Sequence, residues 1–194
     1  MRIPYAVARV LGLAAEKEAA ALGVPMAVSL VDGEGLPLFF GRMDGALPAA
    51  TEIAVSKAYT AAVLAMPTHE LGKLAQPGGM LYGIQNTHGG RIVLFGGGFP
   101  LLLGGKVAGG IGISGGTVEE DMRVGLPIVE LLGRMETCSS GIREVLPQGL
   151  TLEHCVGRLE TILPQALSQT GGNVPAELSV LLTGAIYLAV QKTA

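Results

Sequence analysis

The sequence is poor in aromatic and charged residues. Its 194 residues include no Trp, four Tyr and four Phe, only 15% are Asp, Glu, Lys or Arg, and the formal net charge is −3. Recognition of nucleic acid requires a basic surface or aromatic side chains on which bases stack. The sequence meets neither requirement, so we expect no nucleic-acid partner.

Long apolar runs and secretory signals are also absent. Although 49% of the residues are hydrophobic and the mean hydropathy is +0.50, no uninterrupted apolar run reaches the roughly 18 residues needed to span a bilayer. We therefore expect no membrane association and interpret the apolar surplus as surface buried in a homo-oligomer. The first residues do not resemble a secretory signal, so the cytoplasm is the expected location.

Cysteine is scarce. Cys138 and Cys155 are the only two, and they lie outside any CxxC spacing. We expect two free thiols and no structural metal site.

Glycine, by contrast, is abundant, and it is concentrated between residues 89 and 116. Twelve of these 28 residues are Gly, and most of the others are Ile, Val, Leu or Phe. This mixture is typical of strands that meet at tight turns, and Gly104-Gly105 is the expected turn. Glycines within a strand often mark the close approach of a ligand or another backbone. We expect such an approach at Gly112.

Hydrophobic periodicity predicts an α+β fold with a five-stranded antiparallel sheet covered by helices. The chain is no βαβ array, and the GxGxxG sequence at 110–115 lies outside any such unit. Predicted helices span 4–22, 48–64, 68–75 and 118–135, and predicted strands span 27–31, 36–40, 91–95, 99–103 and 106–114.

Two threonines are predicted to cap helices. Thr68 is the candidate N-cap of the third helix, and Thr117 with Glu120 three residues later forms a capping box at the fourth. The N-terminus of the fourth helix could receive an anion such as a carboxylate. Alternatively, the turn before it only lets the helix pack on the sheet.

Six linked motifs resemble the GlcG/HbpS family over about residues 4–135. A further segment, QPGGMLYGIQNTHGGRIVLFGGG at 76–98, is similar to the C-terminal domain of PduO-type members. The six motifs are VDGEG at 31–35, RMDGA at 42–46, SKAYTA at 56–61, Pro-Thr at 67–68, GGGFP at 96–100 and VAGGIGISGGTVEED at 107–121.

The resemblance implies a profilin-like fold, assembly into oligomers and binding of a tetrapyrrole, with haem the first candidate and cobalamin the second. For PduO-type relatives it also implies a setting of cobalamin-dependent diol (propanediol) or ethanolamine utilisation, often inside a bacterial microcompartment. It does not imply adenosyltransferase activity, which relatives carry in a separate N-terminal domain, whereas the matching region here begins at about residue 4.

The resemblance divides the chain at residue 140. Residues 1–140 form the family-like domain, and residues 141–194 form a C-terminal helical extension with predicted helices around 152–163 and 176–191. This extension either covers the sheet or a subunit interface, or it docks onto a microcompartment shell protein or enzyme partner.

Histidine is the first axial ligand to consider, because haem iron in proteins is held by His, Cys, Met or Tyr. Of the three histidines, His88 is the first candidate for the iron, since its small neighbours leave room for a flat macrocycle. His69 is the second, and His154 lies in the extension.

Three positive side chains are candidates for binding ligand carboxylates: Arg42, Lys57 and Arg91. Lys57 lies in an alanine-rich helix and needs a partner if it is buried. We expect Asp44 to be that partner, because Arg42 and Asp44 lie at the end of a strand. Carboxylate binding would suit haem propionates better than the neutral amides of a corrinoid.

Two further functions remain open. Lys57 could be the amine nucleophile or base of an enzyme that acts on a small carboxylate or carbonyl substrate. Alternatively, the chain could be a structural oligomer without a ligand, in which the glycine-rich strand contacts another subunit. A serine nucleophile at Ser114 is disfavoured, since the sheet is predicted to be antiparallel.

Overall fold

A computed structural model describes residues 2–145 together with Gly184, Ala185 and Tyr187. The chain divides into two compact units, residues 1–130 and residues 131–194. The elements are α1 (Tyr5–Leu22), β1 (Ala27–Asp32), β2 (Pro37–Arg42), α2 (Pro48–Val63), α3 (Thr68–Leu74), short 3-10 turns at Ile84–Asn86 and His88–Gly90, β3 (Gly98–Leu103), β4 (Lys106–Ser114) and α4 (Val118–Val145).

The strands form one antiparallel sheet in the order β2-β1-β4-β3. Leu30 of β1 pairs with Ile111 of β4, which in turn pairs with Phe99 of β3. The predicted α+β architecture is confirmed, with helices packed on the sheet. The expected two-residue turn is also confirmed, since Gly104 and Gly105 join β3 to β4 with φ of 59° and 71°.

The sheet has four strands rather than five in the described part of the chain, so the predicted strand at 91–95 is wrong. Residues 92–94 have no regular secondary structure and pair with no described strand. The Val93 amide instead donates to Thr60 Oγ1 at 3.0 Å, and that hydroxyl lies 3.2 Å from the Arg91 carbonyl. The segment is therefore fastened to α2, because the α2 hydroxyl takes the place of a neighbouring strand.

Helix α2 covers one face of the sheet and packs on its glycines. Gly112 lies against the α2 backbone at Ala54 and Ala58, and Gly110 lies against Ala58 and Ala62. The close approach expected at Gly112 is thus made by a helix backbone, which small side chains on both elements permit.

Helices α1 and α4 cover the opposite face. Gly12 of α1 contacts Phe39 of β2, and Gly125 of α4 contacts Phe99 of β3. Phe39 and Phe99 share a face with Leu30, because cross-strand partners point the same way. The first unit therefore has three layers, with the sheet in the middle.

The capping box at α4 is confirmed. Thr117 N–H donates to Glu120 Oε2 at 2.8 Å, and Glu120 N–H donates to Thr117 Oγ1 at 3.2 Å. Gly116 N–H donates to Asp121 Oδ1 at 3.1 Å. Since the chain's own side chains take these donors, the interpretation of a packing turn is favoured over an anion site.

The predicted cap at Thr68 is wrong. Pro67 precedes the helix, and α3 begins at Thr68 without a side-chain cap. The Thr68 hydroxyl instead accepts the Gly98 N–H at 3.0 Å, a buried hydrogen bond that fastens α3 to the start of β3.

The C-terminal region is only partly described. Helix α4 extends ten residues beyond the predicted end at Met135, and Leu132 and Met135 are buried within the second unit. The division at residue 140 stays a prediction. Of the predicted extension, the helix around 152–163 lies outside the described residues, and residues 184, 185 and 187 are helical.

Lys57 forms a buried ion pair with Asp121, so the predicted pairing with Asp44 is wrong. The Lys57 Nζ donates to Asp121 Oδ2 at 2.6 Å and to the Ile113 carbonyl at 2.8 Å. Lys57 is 0% exposed and Asp121 3% exposed, whereas Asp44 is exposed. Because Lys57 points toward the end of β4, it reaches α4 rather than the end of β2.

Burial perturbs both members of the pair. Desolvation lowers the pKa of the Lys57 amine and raises the pKa of the Asp121 carboxyl, and each partner opposes the shift of the other. Removal of one partner would leave the other charge buried without compensation, which is far more costly than removal of both.

We expect Lys57→Met and Asp121→Leu to each lower the free energy of unfolding by about 3–5 kcal/mol. The double variant should lose much less than the sum, because it leaves no charge behind. Chemical denaturation of the four proteins measures this coupling. Asp44→Asn is the matched control and should unfold like the parent chain; a loss comparable with Asp121→Leu would restore the Asp44 pairing.

The α2–β4 contact gives a second prediction. A Cβ at Gly112 would clash with the α2 backbone, so Gly112→Ala should destabilise the protein by about 1–3 kcal/mol or more. Gly133→Ala is the control, because a Cβ there meets nothing within 4 Å. This substitution should stabilise helix α4 by about 0.5–1 kcal/mol, since glycine is unfavourable within a helix. Equal urea midpoints for the two variants would contradict the close packing.

Candidate functional site

A groove lies between α2 and the segment that Thr60 fastens to it. Its volume is about 570 Å³. The walls are mainly apolar, with three polar residues among them. The lining consists of Ala49, Ile53, Gly90, Ile92, Val93, Leu94 and Phe95 with the polar Glu52, Ser56 and Gln85.

Contacts with the rest of the fold hold the segment that lines one side of the groove. Val93 is held to α2 by Thr60, and Ile92 is buried, so the middle of the segment is fixed. Phe95 remains 45% exposed, and its ring lies 5.0 Å from the Lys57 Nζ. A wall of the groove is therefore built directly over the buried ion pair.

His88 lies at an unusual turn beside the groove. Its φ is 53°, and it is followed by Gly89 and Gly90 with φ of 66° and 83°. Three consecutive left-handed residues cost conformational energy at the one that is not glycine. The turn leaves the His88 side chain exposed, one residue from Thr87 and two from a residue that lines the groove.

A short hydrogen-bond chain links Ile84, Thr87 and His88. The Thr87 hydroxyl donates to the Ile84 carbonyl at 2.6 Å. Thr87 Oγ1 also lies 2.9 Å from His88 Nδ1. A proton on His88 Nδ1 would complete this contact and would leave a lone pair on Nε2, as an imidazole ligand to a metal requires.

Arg91 lies beside this histidine. Its guanidinium carbon is 3.9 Å above the centre of the Tyr59 ring, and the same ring meets the His88 imidazole edge-on at a centroid distance of 6.0 Å. Stacking holds the guanidinium in place, and no hydrogen bond or ion pair to another described residue occupies its donors, which suit a carboxylate.

His69 is located elsewhere, on α3. Its Nε2 lies 3.1 Å from Glu70 Oε1, and its ring is 6.0 Å from the Phe99 ring. Nδ1 is buried without a hydrogen-bond partner. Lys73 lowers the pKa of the Glu70 carboxyl by a hydrogen bond, with a smaller effect from His69.

Three other predicted ligand residues are separate from the groove lining. Lys57 is fully buried in its ion pair, and Gly112 lies against α2, so both are occupied by the fold itself. Arg42 is exposed at the end of β2 and donates to the Ala46 carbonyl at 3.1 Å. Of the six predicted residues, the structure brings together His88 and Arg91.

Sequence reasoning missed most of the groove. The outer stripe of α2, with Glu52, Ser56 and Tyr59 three or four residues apart, reads as an ordinary solvated face. The one feature of this helix face that could have indicated a binding site was Tyr59, because the chain has few aromatic residues. Gln85 lies in the 3-10 turn at Ile84–Asn86, and its buried Oε1 has no hydrogen-bond partner among the described residues.

The chemistry of the site suits a flat, amphipathic ligand better than a bare metal ion. The described residues contain no cluster of three or more His, Cys, Asp or Glu able to hold a metal. A tetrapyrrole needs a donor nitrogen, apolar walls and a cation for acidic side chains. His88, the groove and Arg91 meet these three needs.

No helix among the described residues is long and apolar enough to cross a membrane.

Comparison with known proteins identifies relatives. The chain is 47% identical over 119 residues to a 15.0 kDa protein from the dhaT-dhaS intergenic region of Citrobacter freundii, a match that covers 61% of this chain and 84% of that protein. It is 45% identical over 111 residues to the corrinoid adenosyltransferase PduO of Salmonella typhimurium. That match covers 57% of this chain but only 33% of PduO.

Solved structures agree with the sequence matches. The crystal structure of a PduOC:heme complex superimposes with a TM-score of 0.65 and 39% identity, over 67% of this chain and 94% of that one. The family model described as haem degrading protein HbpS-like matches residues 3–129, and the chain therefore belongs to the HbpS-like family.

Proposed function

We propose that this protein binds a tetrapyrrole, with haem as the first candidate, on the surface formed by the groove, His88 and Arg91. The observation that carries the proposal is an exposed histidine beside an apolar groove, with its Nδ1 2.9 Å from a hydroxyl oxygen. The relative whose structure is a heme complex supports the ligand class.

Each part of the surface has a role. His88 Nε2 would hold the iron, the apolar residues of the groove would cover the macrocycle, and the Arg91 guanidinium would bind a propionate. When bound, haem would supply iron that can change oxidation state or take a further ligand. The protein would contribute the ligand nitrogen and limit access of water to one face.

The charges favour haem over a corrinoid. Arg91 is a fork-shaped donor that suits carboxylates, and corrinoid amides are neutral. The Glu52 carboxylate at the groove would repel a propionate, so the acidic edge of the macrocycle belongs at the Arg91 end. Cobalamin stays the second candidate.

The biological setting is part of the proposal. The likeness to a corrinoid adenosyltransferase supports an accessory role in cobalamin-dependent diol or ethanolamine utilisation, in the cytoplasm or a bacterial microcompartment. Since this chain matches a third of that relative, adenosyltransferase activity is not included. Assembly into a homo-oligomer and docking to a shell protein or enzyme through the C-terminal extension remain predictions.

The two other functions are less well supported. Lys57 is fully buried and hydrogen-bonded to Asp121 and to a carbonyl, so its amine is not presented to a substrate. The glycine-rich strand lies against α2, which removes the reason for placing a subunit contact on it.

Titration of the purified chain with haemin tests the proposal. We expect a saturable Soret shift, and we expect His88→Ala to weaken binding at least tenfold because the iron loses its axial nitrogen, while His69→Ala binds like the parent chain. A parallel titration with cobalamin measures the preference between the two ligands.

A matched variant separates ligand loss from damage to the fold. His88→Gly removes the imidazole and also relieves the left-handed strain, so it should lose haemin binding while unfolding at the same temperature as the parent chain or higher. Binding that survives both His88 variants and disappears in His69→Ala would move the site to α3. No spectral change with either tetrapyrrole would overturn the proposal.

A further inference from the structure

We propose that Thr87 is a positioning residue that fixes His88 in the tautomer able to ligate iron. This inference rests on the proposed function for its purpose. Its structural basis, the protonation of His88 Nδ1, can be tested without any ligand.

The backbone of Thr87 is held on both sides. Its N–H donates to the Ile84 carbonyl at 3.0 Å, and its carbonyl accepts the Gly90 N–H at 2.9 Å. These bonds close the turns before and after Thr87, so the side chain starts from a fixed position. Thr87 adopts an extended conformation, with φ −84° and ψ 173°, between two turns of opposite hand.

The side chain extends this arrangement to the imidazole. The hydroxyl proton is directed to the same Ile84 carbonyl at 2.6 Å, which turns a lone pair of Oγ1 toward His88 Nδ1 at 2.9 Å. A hydroxyl has one proton to donate. The acceptor role toward His88 therefore follows from the donor role toward Ile84.

The consequence concerns the opposite nitrogen. A free histidine in water mainly carries its proton on Nε2, the nitrogen farther from the backbone, and a protonated nitrogen cannot bind a metal. Histidines that bind metals almost always donate the other N–H to an oxygen, which fixes the tautomer and the ring orientation. Thr87 would supply that oxygen before any ligand arrives.

The left-handed backbone conformation of His88 contributes to the same positioning of its imidazole. Its φ of 53° is uncommon for a residue with a side chain. In this conformation the imidazole contacts the Thr87 hydroxyl through Nδ1 at 2.9 Å and meets the Tyr59 ring edge-on at a centroid distance of 6.0 Å. The turn nevertheless leaves His88 accessible to solvent.

Two substitutions separate the hydroxyl from the shape of the side chain. Thr87→Val keeps the volume and branching of threonine but cannot accept the Nδ1–H. Thr87→Ser keeps the hydroxyl and loses a methyl group. If Thr87 acts by accepting this proton, Ser rescues what Val loses.

The first measurement is the tautomer of His88 in the ligand-free full-length chain. Two-bond ¹H–¹⁵N NMR correlations of ¹⁵N-histidine protein, recorded near pH 8 where imidazole is neutral, distinguish Nδ1–H from Nε2–H. His88→Ala assigns the signal among the three histidines. We expect mainly Nδ1–H in the parent chain and in Thr87→Ser, and mainly Nε2–H in Thr87→Val.

The second measurement is haemin affinity. Loss of an outer partner of a metal-ligating histidine typically weakens binding about 10–100-fold, so we expect at least a tenfold loss for Thr87→Val and near-parent affinity for Thr87→Ser. Equal thermal stability of the three proteins shows that the loss does not come from the fold.

The two measurements distinguish failure of this inference from failure of the proposed function. If the parent chain shows Nε2–H, or if Thr87→Val leaves Nδ1–H unchanged, Thr87 does not position His88 and the inference is overturned, even where haemin binds. If the tautomer changes as expected but the parent chain binds no haemin, the proposed function fails while the control of the tautomer by Thr87 stands.

Discussion

The ion pair between Lys57 and Asp121 joins the two faces of the sheet. Helix α2 covers one face, the first turns of α4 cover the other, and the Lys57 amine reaches past the end of β4 to connect them. Both side chains are almost fully buried, so neither charge tolerates loss of the other. Such a pair contributes little net stability compared with an apolar contact of the same size. A shift of α2 relative to α4 that separates the two side chains would leave both charges buried without a partner.

Everything that forms the groove depends on that position. The inner side of α2 is set on β4 by contacts that only glycine and alanine permit, and Lys57 fixes its position along the strand. The same helix then carries Thr60, whose hydroxyl receives the Val93 amide, and Tyr59, on which Arg91 stacks. The segment after His88 pairs with no described strand, so its contacts with α2 determine where it lies. Phe95 adds a direct link, because its ring lies over the Lys57 amine.

Sequence reasoning succeeded mostly where the interactions are local. Capping by Thr117 and Glu120, the turn at Gly104-Gly105 and the main helices depend on residues a few positions apart, and all are predicted. The cap at Thr68 is the local exception, because its hydroxyl bonds to Gly98 instead. The partner of Lys57 lies 64 positions away along the chain, whereas the expectation of Asp44 rests only on a polar residue at the end of a strand. Likewise the apolar run at 91–95 has the composition of a strand, and nothing local shows that an α2 hydroxyl would take its amide. His88 and Arg91 could be placed together because they lie three positions apart in the sequence, whereas the α2 wall of the groove could not.

The position of His88 also depends on the way in which the segment after it is fastened to helix α2. A left-handed residue that is not glycine is unfavourable by about 1–2 kcal/mol, and an exposed imidazole recovers little of that through packing. The turn persists because its neighbours fix it: Thr87 holds the chain on one side, and Arg91 and Val93 are attached to α2 on the other. Free energy gained where the segment meets α2 thus offsets strain at the one residue that faces solvent. A loop optimised only for stability would have glycine at this position, as it has at the next two. A histidine there, with Nδ1 2.9 Å from the Thr87 hydroxyl oxygen, is what a ligand that binds through Nε2 requires.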